Sequence, residues 1–263
     1  MSKIPPVCLL WIALATLLGS CAQGPKPGVS AGRFSAVVID AGHGGKDSGG
    51  ISGRRPPTFL REKDMTLDTA KRVRTLLRRS GLRTIMVRDN DRFVELDDRV
   101  AFANGQGPGS VLVSIHYDAV GDNRSSGAKT FFWRADSHGL ATRIQAHLVA
   151  KTGEADIGVL RRRLRLTRNP NIPCVLCECA YLTNLAEAAK VTNEAYRQRI
   201  AEGIAEGILE EHRLGDAGIA PVPEIWAPLS KASDRYQSSP RLSHHRKKHR
   251  RQYSEFQGSG GRF

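Results

Sequence analysis

Short apolar runs alternate with amphipathic segments through the middle of this chain. Apolar residues occupy positions 36–39, 111–115 and 174–177 with few interruptions. Short runs that are rich in β-branched residues are typical of buried strands. Each run leads to a side chain that can bind a metal or transfer a proton, and these are His43, His116 and Glu178. In open α/β sheets the ligand lies beyond the carboxyl ends of the strands, so we expect the three side chains to converge.

Helical periodicity separates these predicted strands. Apolar residues recur at helical spacing after Asp64, which we interpret as the N-cap of the first helix, and Gly81 fits its C-terminal end. Gly203 and Gly207 lower the propensity of the last helix and suggest that it packs closely against the sheet. The other predicted elements are helices at residues 95–104, 137–152 and 187–212 and strands at residues 82–87 and 129–133.

This alternation of strands and helices predicts an α/β fold. We expect a single domain over residues 33–213, with a central, mostly parallel twisted sheet and helices on both faces. A length of about 180 residues is ordinary for one domain with its own core.

The N-terminal end of the chain differs from the predicted core. Residues 1–20 have the shape of a signal peptide, because the apolar stretch at 7–18 is too short for an ordinary spanning helix. Residues 18–21 (Leu-Gly-Ser-Cys) resemble the lipobox of bacterial lipoproteins, which implies that Cys21 is lipidated. Ordinary cleavage nearby, with Cys21 incidental, remains open. We expect residues 21–32 to form a linker.

Export has consequences for location and partners. Ala22 follows Cys21, which resembles lipoproteins sent to an outer membrane, so we expect a periplasmic, lipid-anchored protein. The formal net charge is +14, and a basic run at 241–251 lies in a tail, residues 214–263, that we predict to be disordered. An exported chain meets anionic lipid and wall polymer first, so no nucleic-acid partner is expected. A solvated tail without a specific partner remains open.

Three cysteines remain in the predicted domain: Cys174, Cys177 and Cys179. On a strand, Cys177 and Cys179 share one face while Cys174 lies on the other. Such close neighbours on a strand are poorly placed for a disulfide. We therefore expect buried, packed thiols, and a metal site of the C-x-x-C-x-C type is the weaker alternative.

A metal centre requires ligands in addition to the two histidines. Catalytic zinc has about three protein ligands drawn from His, Asp, Glu and Cys. Glu62 precedes the first helix at the same end of the sheet as His43 and His116, whereas Glu95 and Asp97 compete from the polar face of a predicted helix. Glu62 could instead stabilise the N-terminus of the helix, so spacing alone leaves its role open.

Glu178 ends an apolar strand, where a carboxylate is costly to bury unless it is paired or used. A role as general acid and base is one interpretation. A structural role, in which Glu178 stabilises the following segment 180–184, is the other.

Several ordered motifs resemble those of the zinc-dependent N-acetylmuramoyl-L-alanine amidases, a family of cell-wall hydrolases. Residues 38–47 (VIDAGHGGKD) resemble the first signature of the family, and Glu62-Lys63 resembles the pair before its first helix. Residues 114–116 (SIH) and the strand that ends at Glu178 match two later motifs. The resemblance covers about residues 37–208 and includes Arg88, Arg99 and Asn104 in an intermediate motif.

The resemblance implies that His43, Glu62 and His116 bind one zinc ion and that Glu178 is the catalytic acid and base. The substrate would be peptidoglycan, at the amide bond between the lactyl group of N-acetylmuramic acid and L-alanine. A zinc peptidase acting within the stem peptide and a non-catalytic wall-binding module remain alternatives. We expect a monomer.

Two segments leave open questions about substrate contacts. The family more often has Asn after the second His motif, where this chain has Tyr117-Asp118-Ala119, a change that bears on substrate fit. The basic run at 161–165 either contacts carboxylates of the stem peptide or is an exposed loop. His138, His147 and His212 fall on predicted helices, and we expect them to be surface residues rather than ligands.

Overall fold

The computed structural model describes residues 34–53, 59–222 and the backbone of 236–237. The predicted signal peptide, the linker and most of the predicted tail lie outside these residues. The strands are β1 (Ala36–Ala41), β2 (Ile51–Ser52), β3 (Leu60–Arg61), β4 (Arg83–Met86), β5 (Ser110–Asp118), β6 (Ala128–Phe132), β7 (Asp156–Arg161), β8 (Cys174–Tyr181) and β9 (Tyr236–Gln237). The α-helices are α1 (Glu62–Arg79), α2 (Leu96–Asn104), α3 (His138–Thr152), α4 (Arg165–Arg168), α5 (Leu185–Thr192) and α6 (Glu194–Leu214).

One mostly parallel sheet forms the centre of the domain, which confirms the predicted fold class. Its strand order is β4-β1-β5-β8-β6-β7-β9. Strands β4, β1, β5 and β8 run parallel to one another, β6 is antiparallel to β8, and β7 is parallel to β6. The three strands that were predicted to lead to functional side chains, β1, β5 and β8, are therefore adjacent.

Helices cover both faces of this sheet. Helix α1 packs on β1 and β5 and also contacts α6, and α6 packs along α3. Helices α2 and α4 contact each other and the opposite face. Cys177 and Cys179 join the core on the α1–α3–α6 side, while Cys174 joins a cluster on the other face, as predicted. All three thiols are buried and free.

The last helix differs from the prediction in two respects. The single helix predicted over 187–212 is two helices, because Asn193 is extended and its side chain accepts a hydrogen bond from the Ala195 N–H as the N-cap of α6. Gly203 and Gly207 pack closely against α3 rather than against the sheet. A Cβ atom would lie 2.7 Å from the Leu148 Cα at Gly203 and 2.5 Å from the Ile144 Cα at Gly207.

Two other element predictions were wrong. Helix α1 begins at Glu62, so Asp64 lies in its first turn and is not the N-cap. Strand β7 was missed, since its two ends are polar and Arg161 had been assigned to a basic run. None of the helices within the described residues has the length and apolar composition needed to span a bilayer.

Candidate metal and catalytic site

The sheet brings the predicted side chains to one edge. His43 lies two positions beyond the last residue of β1, and His116 lies near the end of the neighbouring strand β5. His116 and Glu178 are direct neighbours across the β5–β8 pair. Glu62, the first residue of α1, faces the same edge because its backbone N–H donates to the Gly50 carbonyl.

His43, Glu62 and His116 form a compact group. Each residue offers one ligand atom, and these atoms all lie within 4.8 Å of one another. Glu62 Oε1 is 3.0 Å from His43 Nε2 and 2.8 Å from His116 Nδ1. The competing carboxylates lie elsewhere, since Glu95 is exposed at the N-cap of α2 and Asp97 is 2.5 Å from Arg165 Nη1.

The electrostatics of this group favour an ionised carboxylate. Burial alone would raise the pKa of Glu62, but hydrogen bonds and charges from His116 and His43 outweigh it, and they hold this pKa well below its usual range. Burial lowers the pKa of His43, but Glu62 and Asp47 oppose it and raise this pKa overall. The Gly50 and Tyr117 N–H groups also donate to Glu62, at 2.8 and 3.1 Å.

Asp47 orients His43 from the side opposite Glu62. Its Oδ2 is 2.8 Å from His43 Nδ1, so the ring has Asp47 on one nitrogen and Glu62 on the other. A carboxylate on the outer nitrogen of a metal-binding histidine fixes the ring and its tautomer. Asp47 lies in the motif at 38–47, but no sequence pattern predicts this orienting role.

His43 has a positive φ of 60°, which is uncommon for a residue other than glycine. Two buried arginines fix the backbone around it. Arg88 donates to the carbonyls of Ala41 and Gly42 at 2.8 and 2.7 Å, and Arg99 donates to the His43 carbonyl at 2.7 Å. These charge-assisted bonds hold the strained loop in place.

Gly42 is required by the close approach of the second histidine. A Cβ atom at this position would overlap the ring of His116. Any larger residue at position 42 would displace one ligand relative to the others.

Glu178 differs from Glu62 in its environment. Its Oε2 is buried and has no hydrogen-bond partner among the described residues. Burial, followed by the charges of Asp118 and Glu62, raises the pKa of Glu178 well above its usual value, against the opposing charges of Lys129 and Arg162. A carboxyl group with a raised pKa beside candidate metal ligands is suited to proton transfer near neutral pH.

A buried ion pair lies next to Glu178. The ammonium of Lys129 contacts Asp118 and donates to the Tyr181 hydroxyl at 2.7 Å, and Lys129 is the neighbour of Glu178 across the β6–β8 pair. The sequence did not predict that Asp118, Lys129 and Tyr181 meet beside Glu178. These residues come from β5, β6 and β8, so no local sequence pattern indicates that they are in contact.

A groove of about 400 Å³ connects these groups. His43, Glu62, His116 and Glu178 all line it. Its remaining walls are formed by Gly50, Leu96, Tyr117, Asp118, Ala119, Leu164, Arg165, Leu166 and Leu176.

The other candidate residues lie outside the groove. His147 pairs with Glu210, while His138 and His212 pack against Phe132 and Phe34. The three rings are partly buried, so the expectation of surface positions was only partly right. Ser114 is fully buried and donates to Asp40, at 2.7 Å.

Two imidazoles and one carboxylate are a ligand set that suits a catalytic zinc ion, which uses three protein ligands and leaves a position open. His43 Nε2 and His116 Nδ1 both face Glu62 Oε1, at 3.0 and 2.8 Å, so these three atoms are the candidate ligand atoms. The residues present therefore fit a metal ion.

The fold and the site together define an α/β protein with a possible metal site in a groove at the strand ends. The chain belongs to the N-acetylmuramoyl-L-alanine amidase family, because the family model of that description matches residues 37–210. The resemblance inferred from the motifs is thus confirmed.

Individual relatives support this assignment. The N-acetylmuramoyl-L-alanine amidase LytC of Bacillus subtilis (strain 168) is 34% identical over 181 residues, which cover 67% of this chain and 35% of LytC. The chain therefore matches only about a third of the length of that relative. The catalytic domain of CwlV, an N-acetylmuramoyl-L-alanine amidase from Bacillus (Paenibacillus) polymyxa var. colistinus, matches with a TM-score of 0.63 and 36% identity, covering 67% of this chain and 97% of that catalytic-domain chain. AmiC2 of Nostoc punctiforme, another such amidase, matches with a TM-score of 0.62 and 31% identity, covering 68% and 97%.

Proposed function

We propose that this protein hydrolyses the amide bond between the lactyl group of N-acetylmuramic acid and L-alanine in peptidoglycan. The observation that carries the proposal is the position of Glu178 beside the group formed by His43, Glu62 and His116, in one groove. Family membership supports the choice of this amide bond as the one cleaved, and the geometry of the site supports hydrolysis as the reaction.

Zinc is the proposed metal, and His43, Glu62 and His116 are its proposed ligands. When bound, zinc would polarise the substrate carbonyl and lower the pKa of a water molecule. Asp47 would hold the His43 ring in its binding orientation, since it occupies the outer nitrogen. Glu62 would contribute the negative charge that keeps a dication in a partly buried site.

Glu178 is the proposed proton carrier. Its carboxylate accepts the proton of the attacking water and then returns it to the alanine nitrogen as the amide bond breaks. The unpartnered Oε2 is free for this exchange, and the raised pKa of Glu178 makes its carboxylate a stronger base toward the attacking water. Ser114 takes no part, because its hydroxyl is buried against Asp40.

Digestion of purified peptidoglycan tests this proposal. The expected products are intact free stem peptide and glycan that has lost its stems, identified by mass spectrometry. A chelator should stop the reaction and added zinc should restore it. Fragments cut within the stem would instead identify a peptidase, and wall binding without any release would identify a binding module.

The proposed location follows from the N-terminal sequence. We propose that the protein is exported, acts as a monomer in the periplasm and is anchored to the outer membrane through a lipid on Cys21. The lipobox-like residues 18–21 motivate this assignment. Membrane fractionation of a Cys21→Ala variant tests it, because an unchanged membrane fraction would exclude the lipid anchor.

A further inference from the structure

Two cations lie on the side of Glu178 that faces away from the candidate metal ligands. Lys129 is the cross-strand neighbour of Glu178 on β6, and Arg162 follows β7, one strand further from His116. Both cations contact the ring of Phe131, with the Lys129 Nζ 5.6 Å and the Arg162 Cζ 5.5 Å from its centroid. The charges of both act on Glu178 and lower its pKa, against the larger opposite effect of burial.

The two cations differ in how their charge is used. Lys129 is neutralised locally by Asp118 and donates to the Tyr181 hydroxyl. Among the described residues, the side chain of Arg162 has no hydrogen-bond or ion-pair partner. It is only partly buried. Arg165, which also lines the groove, is already paired with Asp97.

Stacking on Phe131 prepares Arg162 for a ligand. A cation–π contact restrains the guanidinium while leaving its N–H groups available. Phe131 is 4% exposed and is the register neighbour of Leu176, which lines the groove. Phe131 belongs to the same apolar cluster as Leu166 and Leu176 of the groove wall, so Arg162 is held beside the groove.

The proposed mechanism determines which part of the substrate lies on the Glu178 side of the candidate metal ligands, near Arg162. Glu178 returns a proton to the alanine nitrogen, so the released peptide must leave on the Glu178 side of the metal ligands. Stem peptides carry carboxylates, and in some walls the α-carboxylate of the residue after L-alanine is amidated, which removes its charge. An arginine binds a carboxylate through paired N–H donors, and an amide cannot replace that contact.

We propose that Arg162 is a specificity-determining residue that binds a carboxylate of the departing stem peptide, so that this protein prefers stems with a free α-carboxylate after L-alanine over amidated stems. This inference rests on the proposed function and adds a substrate class to the same site.

Two muramoyl peptides that differ only in amidation of this carboxylate provide the test, using the full chain loaded with zinc. We expect kcat/KM to be about tenfold to a hundredfold higher for the free acid, because a charge-assisted hydrogen bond is lost with the amide. The difference should appear mainly in KM, since the contact is made equally before and during the reaction.

Three variants locate the preference. Arg162→Gln should remove it by weakening only the acidic substrate, and Arg162→Lys should restore part of it through charge alone. Arg168→Gln is the matched control, because Arg168 is an exposed arginine of the same segment whose side chain donates to Asn169 Oδ1. It should keep the full preference. Thermal melting of each variant verifies folding.

A binding measurement separates this inference from the proposed function. Titration with the free stem peptide and its amidated form, followed by calorimetry, should show the same preference and its loss in Arg162→Gln. Hydrolysis of both substrates at equal efficiency, or a preference that survives Arg162→Gln, would overturn the role of Arg162 while leaving the amidase activity in place. No hydrolysis of either substrate would instead refute the proposed function.

Discussion

The groove and the junction between β8 and α5 each contain a buried glutamate, and the two are used differently. Glu187 at the junction accepts hydrogen bonds from the N–H groups of Gly127 and Tyr181, both at 2.6 Å, so each of its oxygens is satisfied by backbone. Glu178 in the groove has an oxygen with no partner among the described residues. Both groups have a raised pKa, first because of burial.

The difference teaches that burial and a raised pKa do not by themselves identify a catalytic carboxyl group. A carboxylate that accepts two backbone hydrogen bonds ties chain segments together, and its loss exposes unsatisfied donors. A carboxylate with an unused oxygen beside candidate metal ligands costs stability, which is characteristic of a functional group. Replacement of each glutamate by glutamine should therefore have opposite consequences.

The largest effect is expected from Glu178→Gln. Hydrolysis of peptidoglycan should fall by about a hundredfold to ten-thousandfold, since general acid–base catalysis contributes that much. The melting temperature should be unchanged or higher, because the variant removes an ionisable group from a buried position. Parallel assays of stem release and thermal unfolding provide the check. Undiminished wall digestion would refute the assignment of Glu178.

Glu187→Gln should show the reverse pattern. Glutamine keeps one acceptor but places an amide NH₂ against a backbone N–H, so the free energy of unfolding should fall by about 1–3 kcal/mol. Activity per folded molecule should remain close to that of the unchanged protein. Denaturant unfolding and the wall assay measure the two quantities. A large loss of activity in fully folded Glu187→Gln would contradict the comparison.

The part of this site that depends on local sequence patterns could be predicted. Apolar runs leading to His43, His116 and Glu178 were recognisable, and parallel strands place their carboxyl ends at one edge. The expected ends of two strands were wrong, because β5 continues past His116 to Asp118 and β8 continues past Glu178 to Tyr181. Spacing alone could not choose Glu62 over Glu95 and Asp97, and the motif resemblance made that choice.

Contacts between distant segments were not recognisable from the sequence. The bond between Lys129 and Tyr181 joins β6 to β8 and produces no periodicity. Strand β7 and the break at Asn193 were missed for a related reason. Polar ends hid the strand, and helical periodicity continues across the break, so tertiary packing and a side-chain cap decided both outcomes.

Asp47→Asn extends the comparison to a carboxylate whose oxygens are hydrogen-bonded and which nevertheless has a proposed functional role. Asp47 bonds to His43 through Oδ2 and accepts the Gly49 N–H through Oδ1, a bond that the side-chain oxygen of Asn can keep. The substitution should therefore lower zinc affinity by about tenfold to a hundredfold with little change in stability. Competition with a fluorescent zinc chelator measures the affinity. Asp64→Asn is a suitable control, since Asp64, in the first turn of α1, forms a largely exposed ion pair with Arg61 at the end of β3. Equal zinc affinities in the two variants would argue against an orienting role for Asp47.

Glu211 tests whether an unpartnered carboxyl oxygen is sufficient to mark a catalytic group. It lies on α6, fully buried, with Oε2 bonded to Arg143 at 3.0 Å and Oε1 without a partner in the described residues. It lies against α3 and does not line the groove. We therefore expect Glu211→Gln to leave activity unchanged, and its effect should appear only in the pH dependence of stability.

The direction of that effect follows from the pKa of Glu211. Burial, aided by the charge of Asp216 and opposed by Arg143, raises this pKa from 4.5 to about 7. The folded state therefore favours the protonated form, and its stabilising contribution is complete below pH 4.5 and is lost as the pH rises through about 7. Between pH 5 and pH 8 the unchanged protein should lose about 2–3 kcal/mol more stability than Glu211→Gln. Denaturant unfolding at several pH values gives the difference between the two curves, in which other titrating groups cancel. Parallel curves would show that Arg143 keeps Glu211 ionised throughout, and a loss of activity in the variant would mean that an unused carboxyl oxygen signals function even outside the groove.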